Sequence, residues 1–144
     1  MKRLILLIIL IYPIMGMAMG CVAKDPAHPV VIKEVQDGLR EKFSGDLAQV
    51  RKMTIFENTL KVYMVDEYPP DNLENFAHET TKLFGERMRA NKKLSQMYYV
   101  NFFQKKMVDD KKELKQSAEC TFDNGSDRIK VKILGLGSGK YDVK

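Results

Sequence analysis

The side chains able to carry covalent or acid–base chemistry are few and scattered. The sequence holds 2 Cys and 2 His: Cys21, Cys120, His28 and His78. Neither His stands at ligand spacing from a Cys, so no zinc site is built by pattern, and neither a metal nor any other cofactor is expected. His78-Glu79 begins as a zinc-protease helix does, but the position four residues after His78 is Lys82, which supplies no second imidazole. His78 therefore reads as an exposed helix residue. The segment Gly135 to Lys140 ends in Gly-Lys like a phosphate loop. Leu134 stands where the first glycine belongs, Tyr141 where a hydroxyl should meet magnesium, and too little chain follows to build the helix. There is no Gly-x-Ser-x-Gly elbow, and the acidic pairs Asp66-Glu67, before the second helix, and Asp109-Asp110, in a turn, are sequence neighbours and not carboxylates on facing elements. Cys120 falls at an inward strand position, where a thiol acts as a small hydrophobe. No catalytic residue is assigned.

Recognition chemistry is better represented. Tyr98, Tyr99, Phe102 and Phe103 are concentrated in one strand-like run, with Tyr63 and Tyr68 elsewhere. Alternation puts Tyr98, Val100 and Phe102 on one face and Met97, Tyr99 and Phe103 near the other. Two helices cover only one face of a sheet. If the second set points away from them, Tyr99 and Phe103 form an aromatic stripe among lysines, suited to a protein partner or to lipid. The alternative is that both sets are core. Tyr99 and Phe103 are the residues assigned to partner binding.

The elements that must position them follow from periodicity. Val31, Ile32, Val35, Leu39 and Phe43 recur at threes and fours, which predicts an amphipathic helix over 30–43 ended by Ser44-Gly45. Val50 to Phe56 and Leu60 to Val65 predict a hairpin, with Leu60, Val62 and Met64 on one face and Lys61 and Tyr63 on the other. Asp71 with Glu74 predicts a capped helix start, and Leu73, Phe76, Ala77, Thr80, Leu83, Phe84 and Met88 form the buried stripe. Arg87, Arg89, Lys92 and Lys93 crowd its end, where cations suit the dipole. Met97 to Gln104 predicts a central strand and 107–112 a turn. The next strand places Leu114, Ala118, Cys120 and Phe122 inward and Lys115, Ser117, Glu119 and Thr121 outward. Asn124-Gly125 marks a turn, and Arg128 to Leu134 a last strand whose lysines suit a solvated face or an edge.

The sum is an α+β domain over 30–134: two helices on one face of an antiparallel sheet of about five strands, in the order α-β-β-α-β-β-β. The tail 135–144 is glycine-rich. Over Val30 to Gln104 the order helix, strand, strand, helix, strand resembles that of BON domains, small envelope modules associated with phospholipid or protein binding. That resemblance implies a binding role and carries no site residue with it.

Residues 1–20 set the address. Lys2 and Arg3 precede an uncharged run from Leu4 to Met19, the pattern of an export signal. Ala18-Met19-Gly20-Cys21 resembles the lipobox of bacterial lipoproteins, which implies cleavage before Cys21, acylation of Cys21 and a lipid anchor. The lipobox more often carries Leu where Ala18 stands. Two other fates remain open: simple cleavage at the same small-x-small junction, or retention as an anchor. Residues 21–29, with Pro26 and Pro29, read as a lipidated N-terminus and short tether. Membrane anchoring on the periplasmic or extracellular side follows, at the outer membrane in a Gram-negative host.

Composition closes several classes. With 144 residues, 44% hydrophobic and 30% charged, the chain is neither disordered nor fibrous. Its net charge of +5 includes Lys2 and Arg3 of the leader, and acids are interleaved along the rest, so no nucleic-acid partner is expected. The leading expectation is a lipid-anchored envelope protein with a non-enzymatic binding domain and an envelope or secretion partner. The alternatives are an exported hydrolase with a dispersed site and a soluble secreted inhibitor or immunity-type protein.

Overall fold

A computed structural model describes residues 25–65 and 70–134, with the side chains of 70 and 71 left aside. The leader with Cys21, the pair Asp66-Glu67, Tyr68 and the tail 135–144 lie outside the described residues. The helices are α1 (Ala27–Arg40), α2 (Ser44–Ala48) and α3 (Pro70–Ala90); the strands are β1 (Val50–Phe56), β2 (Thr59–Met64), β3 (Met97–Val108), β4 (Lys111–Asp123) and β5 (Ile129–Ile133).

Helix α1 starts earlier than its apolar stripe. Asp25 accepts a hydrogen bond from the Ala27 N–H on its side chain, and Pro29 sits in the first turn, where its missing N–H costs nothing. Three residues assigned to the tether are therefore helical. At the other end Phe43 leaves helical geometry, with φ −124° and ψ 33°, and α2 begins at Ser44, so Ser44-Gly45 opens a short helix where a stop was expected. The kink aims Phe43 at Phe76 of α3, edge to face at 5.8 Å. Helix α3 begins at Pro70, which makes Asp71 its second residue and not its cap.

The strands lie in chain order, β1-β2-β3-β4-β5, so β3 is central as expected and β1 and β5 are the edges. The sheet is not antiparallel throughout. β2 and β3 run parallel, Leu60 beside Val100 and Val62 beside Phe102, because α3 carries the chain back along the sheet between them. The other three pairings are antiparallel. β3 runs to Val108 and β4 starts at Lys111, which reduces the expected turn over 107–112 to Asp109 and Asp110, both at positive φ.

α1 and α3 cover one face. Val31, Val35 and Leu39 from α1 and Leu73, Phe76, Ala77, Phe84 and Met88 from α3 meet Leu60, Val62, Tyr98, Val100, Phe102, Ala118, Cys120, Phe122 and Val131 in one core. Gly85 lets α3 lie directly on the sheet: a Cβ there would stand 2.5 Å from the Phe122 ring.

β4 departs from its simple alternation. A bulge opposite Phe102/Phe103 inserts Ser117, which is buried beside Ala118, and on the far side of the bulge the facing is reversed. Leu114, expected inward, pairs with Lys105 and is 52% exposed.

Candidate functional site

The face of the sheet away from the helices has no covering layer among the described residues. Cross-strand register arranges its side chains in rows. One row runs Phe56, Thr59, Tyr99, Thr121, Lys130; the next Thr54, Lys61, Asn101, Glu119, Lys132; the third Lys52, Tyr63, Phe103, Gln116. The parallel β2–β3 pairing puts Tyr63 beside Phe103, and their rings stack with centroids 5.4 Å apart and planes 23° from parallel. Beside them the Gln116 amide donates to Asn101 Oδ1 at 3.1 Å, which fixes the polar centre of the face.

Tyr63, Tyr99 and Phe103 are all partly exposed, in contrast to Tyr98, Val100 and Phe102 of β3, which are fully buried on the other side of the sheet. The face is also basic. Lys52, Lys61, Lys105, Lys130 and Lys132 are exposed on it, against Glu119 within the strands and Asp123 at the β4 end. Its chemistry is that of a docking surface: flat aromatic groups that bury area at low entropic cost, in a positive surround that favours acidic counterparts.

The structure thus brings Tyr99 and Phe103 onto one open face and adds Tyr63, whose role in the stripe the sequence did not reveal. Alternation placed Tyr63 opposite Leu60, Val62 and Met64, but its neighbour depended on the parallel register.

Other residues singled out earlier go elsewhere. Cys120 is a free thiol, fully buried. Burial pushes it up to about 12, and hydrogen bonds with the Thr81 side chain and the Lys132 backbone offset this only in part. It is no nucleophile. His78 is half-buried on α3 with Glu79 Oε1 at 3.5 Å, not freely exposed. Asp109 and Asp110 are exposed in their turn. Two of the four cations around the end of α3 are spent structurally: Arg89 pairs with Asp127 and lies over the Phe122 ring, and Lys93 pairs with Asp25 at 2.7 Å. Among the described residues no group of His, Cys, Asp and Glu could hold a metal ion.

A second concavity lies at the end of the sheet that holds the β1–β2 turn. Its volume is about 1010 Å³, with apolar walls from Ile32, Met53, Ile55 and Met88, and Phe56 and Leu94 also line it. Asp25 and His28 border it; the Lys93 ammonium and the Ala27 N–H hold the Asp25 carboxyl below its ordinary value. No sequence pattern announced this groove, since its walls come from four separate segments.

Comparisons with protein families, with curated proteins and with solved structures give no match for this chain.

Proposed function

We propose that this chain is a lipid-anchored cell-envelope protein, held on the exported side of a membrane through Cys21, whose small domain binds another envelope or secretion component without catalysing a reaction. The observation that carries the binding role is the Tyr63–Phe103 stack, with Tyr99 two rows away, on a lysine-rich sheet face that no helix covers among the described residues. Aromatic groups held by rigid strands are preorganised for an interface, so little ordering entropy opposes association. The surrounding lysines select a partner that presents acidic groups around an apolar centre. The address rests on the basic start, the apolar run and the Ala18-Met19-Gly20-Cys21 junction.

Two experiments test the two halves. Cys21→Ser should abolish incorporation of labelled palmitate and shift the protein from the membrane fraction to soluble or unprocessed forms; persistent labelling would refute the anchor. A photo-crosslinking amino acid at position 99, compared with one at Lys33 on the exposed side of α1, should capture a discrete partner from intact cells only at 99. Equal capture at both positions, or capture at Lys33 alone, would refute the sheet face as the docking surface.

A further inference from the structure

Where the anchor joins the domain fixes which end of the domain meets the membrane. Three residues separate Cys21 from Asp25, so four Cα steps of at most about 3.6 Å keep the two within about 14 Å of each other. Asp25 opens α1 at the end of the sheet that also carries the β1–β2 turn and the α3–β3 loop, to which its carboxylate is tied through Lys93 at 2.7 Å. That end displays two of the most exposed large apolar side chains described: Phe56 at 67% and Leu94 at 74%.

The loop that carries Leu94 is pinned by polar groups on either side of it. The Tyr98 hydroxyl donates to Lys93 O at 2.8 Å and accepts from the Ser95 N–H at 3.2 Å. Asn58 Nδ2 reaches Ser95 Oγ and Met97 O, and Asn124 Nδ2 donates to Ser95 O. The Leu94 side chain stands at the rim of the groove, largely in solvent. Four of the nearby charges are matched within the domain, Asp25 with Lys93 and Arg89 with Asp127; of the exposed ones, the cations Lys92 and Arg128 outnumber the acid Glu57, which suits an anionic lipid surface. An apolar pair on a rigid rim, next to the anchoring point and beside an apolar groove, is the chemistry of shallow insertion into the headgroup region.

We propose that this end of the domain lies on the bilayer, with Phe56 and Leu94 inserted into its interface. The proposal rests on the lipid-anchor reading above. It also orients the binding face: the strands rise away from the membrane, with Tyr99 level with Phe56 at the lipid surface and Tyr63 and Phe103 four residues further out, on a wall open to a partner alongside.

The test uses the full chain, expressed and purified with its native processing, then reconstituted in phosphatidylethanolamine–phosphatidylglycerol vesicles containing lipids brominated on their acyl chains. Leu94→Cys and Phe56→Cys each receive a polarity-sensitive fluorophore. Lys111→Cys, at the far end of β3 roughly 35 Å away, serves as the control. Cys120 is buried, and an acylated Cys21 has no free thiol. Intact mass is read first, and circular dichroism checks that each variant folds. With acylated protein, the expected result is a blue shift and at least twofold stronger bromolipid quenching at 94 and 56 than at 111. Equal quenching at all three positions, or none at 94 and 56, overturns the proposal while leaving the anchor intact. An unacylated mature chain overturns the anchor reading, and this orientation with it.

Discussion

Tyr63 and Phe103 occupy the same level of two parallel strands, and their rings stack at 5.4 Å on the face that no helix covers among the described residues. On the opposite face of the same strands, Val62 and Phe102 are paired and completely buried. One register therefore builds a core layer and a partly solvated aromatic layer. Under the proposed function, stability and recognition reside on alternate residues of β2 and β3 and are separable by mutation.

Gly85→Ala will destabilise the protein although alanine is the better helix former. The propensity gain is about 1 kcal/mol, but the new Cβ would stand 2.5 Å from the Phe122 ring, and neither α3 nor the sheet can yield without disturbing the core. A net loss of about 1–3 kcal/mol in urea unfolding is expected. Gly45→Ala, with nothing within 4 Å of its Cβ, should instead gain a few tenths of a kcal/mol by the same propensity.

Ser117→Ala will be neutral or stabilising. The bulge buries Ser117 to 2% exposure and leaves its hydroxyl without a hydrogen-bond partner. Removing an unsatisfied buried hydroxyl relieves a desolvation cost of about 1 kcal/mol, while little volume is lost. Chemical denaturation of the two proteins decides the sign; a loss beyond about 1 kcal/mol would mean that the hydroxyl has a stabilising partner.

Cys120 makes the fold sensitive to alkali. Its thiol titrates at 9.0 in an unstrained setting and at about 12 in the fold. Below 9.0 both states keep the proton and the group is silent. Between the two values the unfolded chain has released its proton and the folded chain has not, so stability falls as pH rises. Cys120→Ala should cost about 1 kcal/mol at neutral pH. Its melting temperature should nevertheless decline less than that of the wild type from about pH 8 to about pH 10.5. Parallel declines would show that the thiol does not differ between the two states.

Much of this architecture was legible in the residues. The helix stripes through Val31, Val35 and Leu39 and through Phe76, Phe84 and Met88 became the core, and the alternation of Tyr98, Val100 and Phe102 with Tyr99 assigned the faces of the central strand correctly. What was not legible depended on contacts distant in sequence. The parallel direction of β3 is set by the path of α3, which no local pattern in 97–104 encodes. The bulge at Ser117 reverses Leu114 through a mismatch with Phe102 and Phe103, so alternation counted along β4 alone had to fail. The early start of α1 comes from Asp25 capping a segment whose two prolines suggested extended chain. The aromatic face was half visible: the placement of Tyr99 and Phe103 on one side could be read from one strand, whereas Tyr63 required the partner strand's register.

The most direct measurement of the central claim sets Tyr99→Ala and Phe103→Ala beside Phe102→Ala, with thermal stability and crosslinked-partner yield read in the same preparations. If the open face serves recognition, Tyr99→Ala should cost less than about 1 kcal/mol and Phe103→Ala about 1 kcal/mol for the lost stack with Tyr63, while both abolish most partner capture. Phe102→Ala should lose about 3–5 kcal/mol as a core truncation. If Tyr99→Ala and Phe103→Ala lose as much stability as Phe102→Ala, or if both retain full partner capture, the aromatic face is not the binding surface.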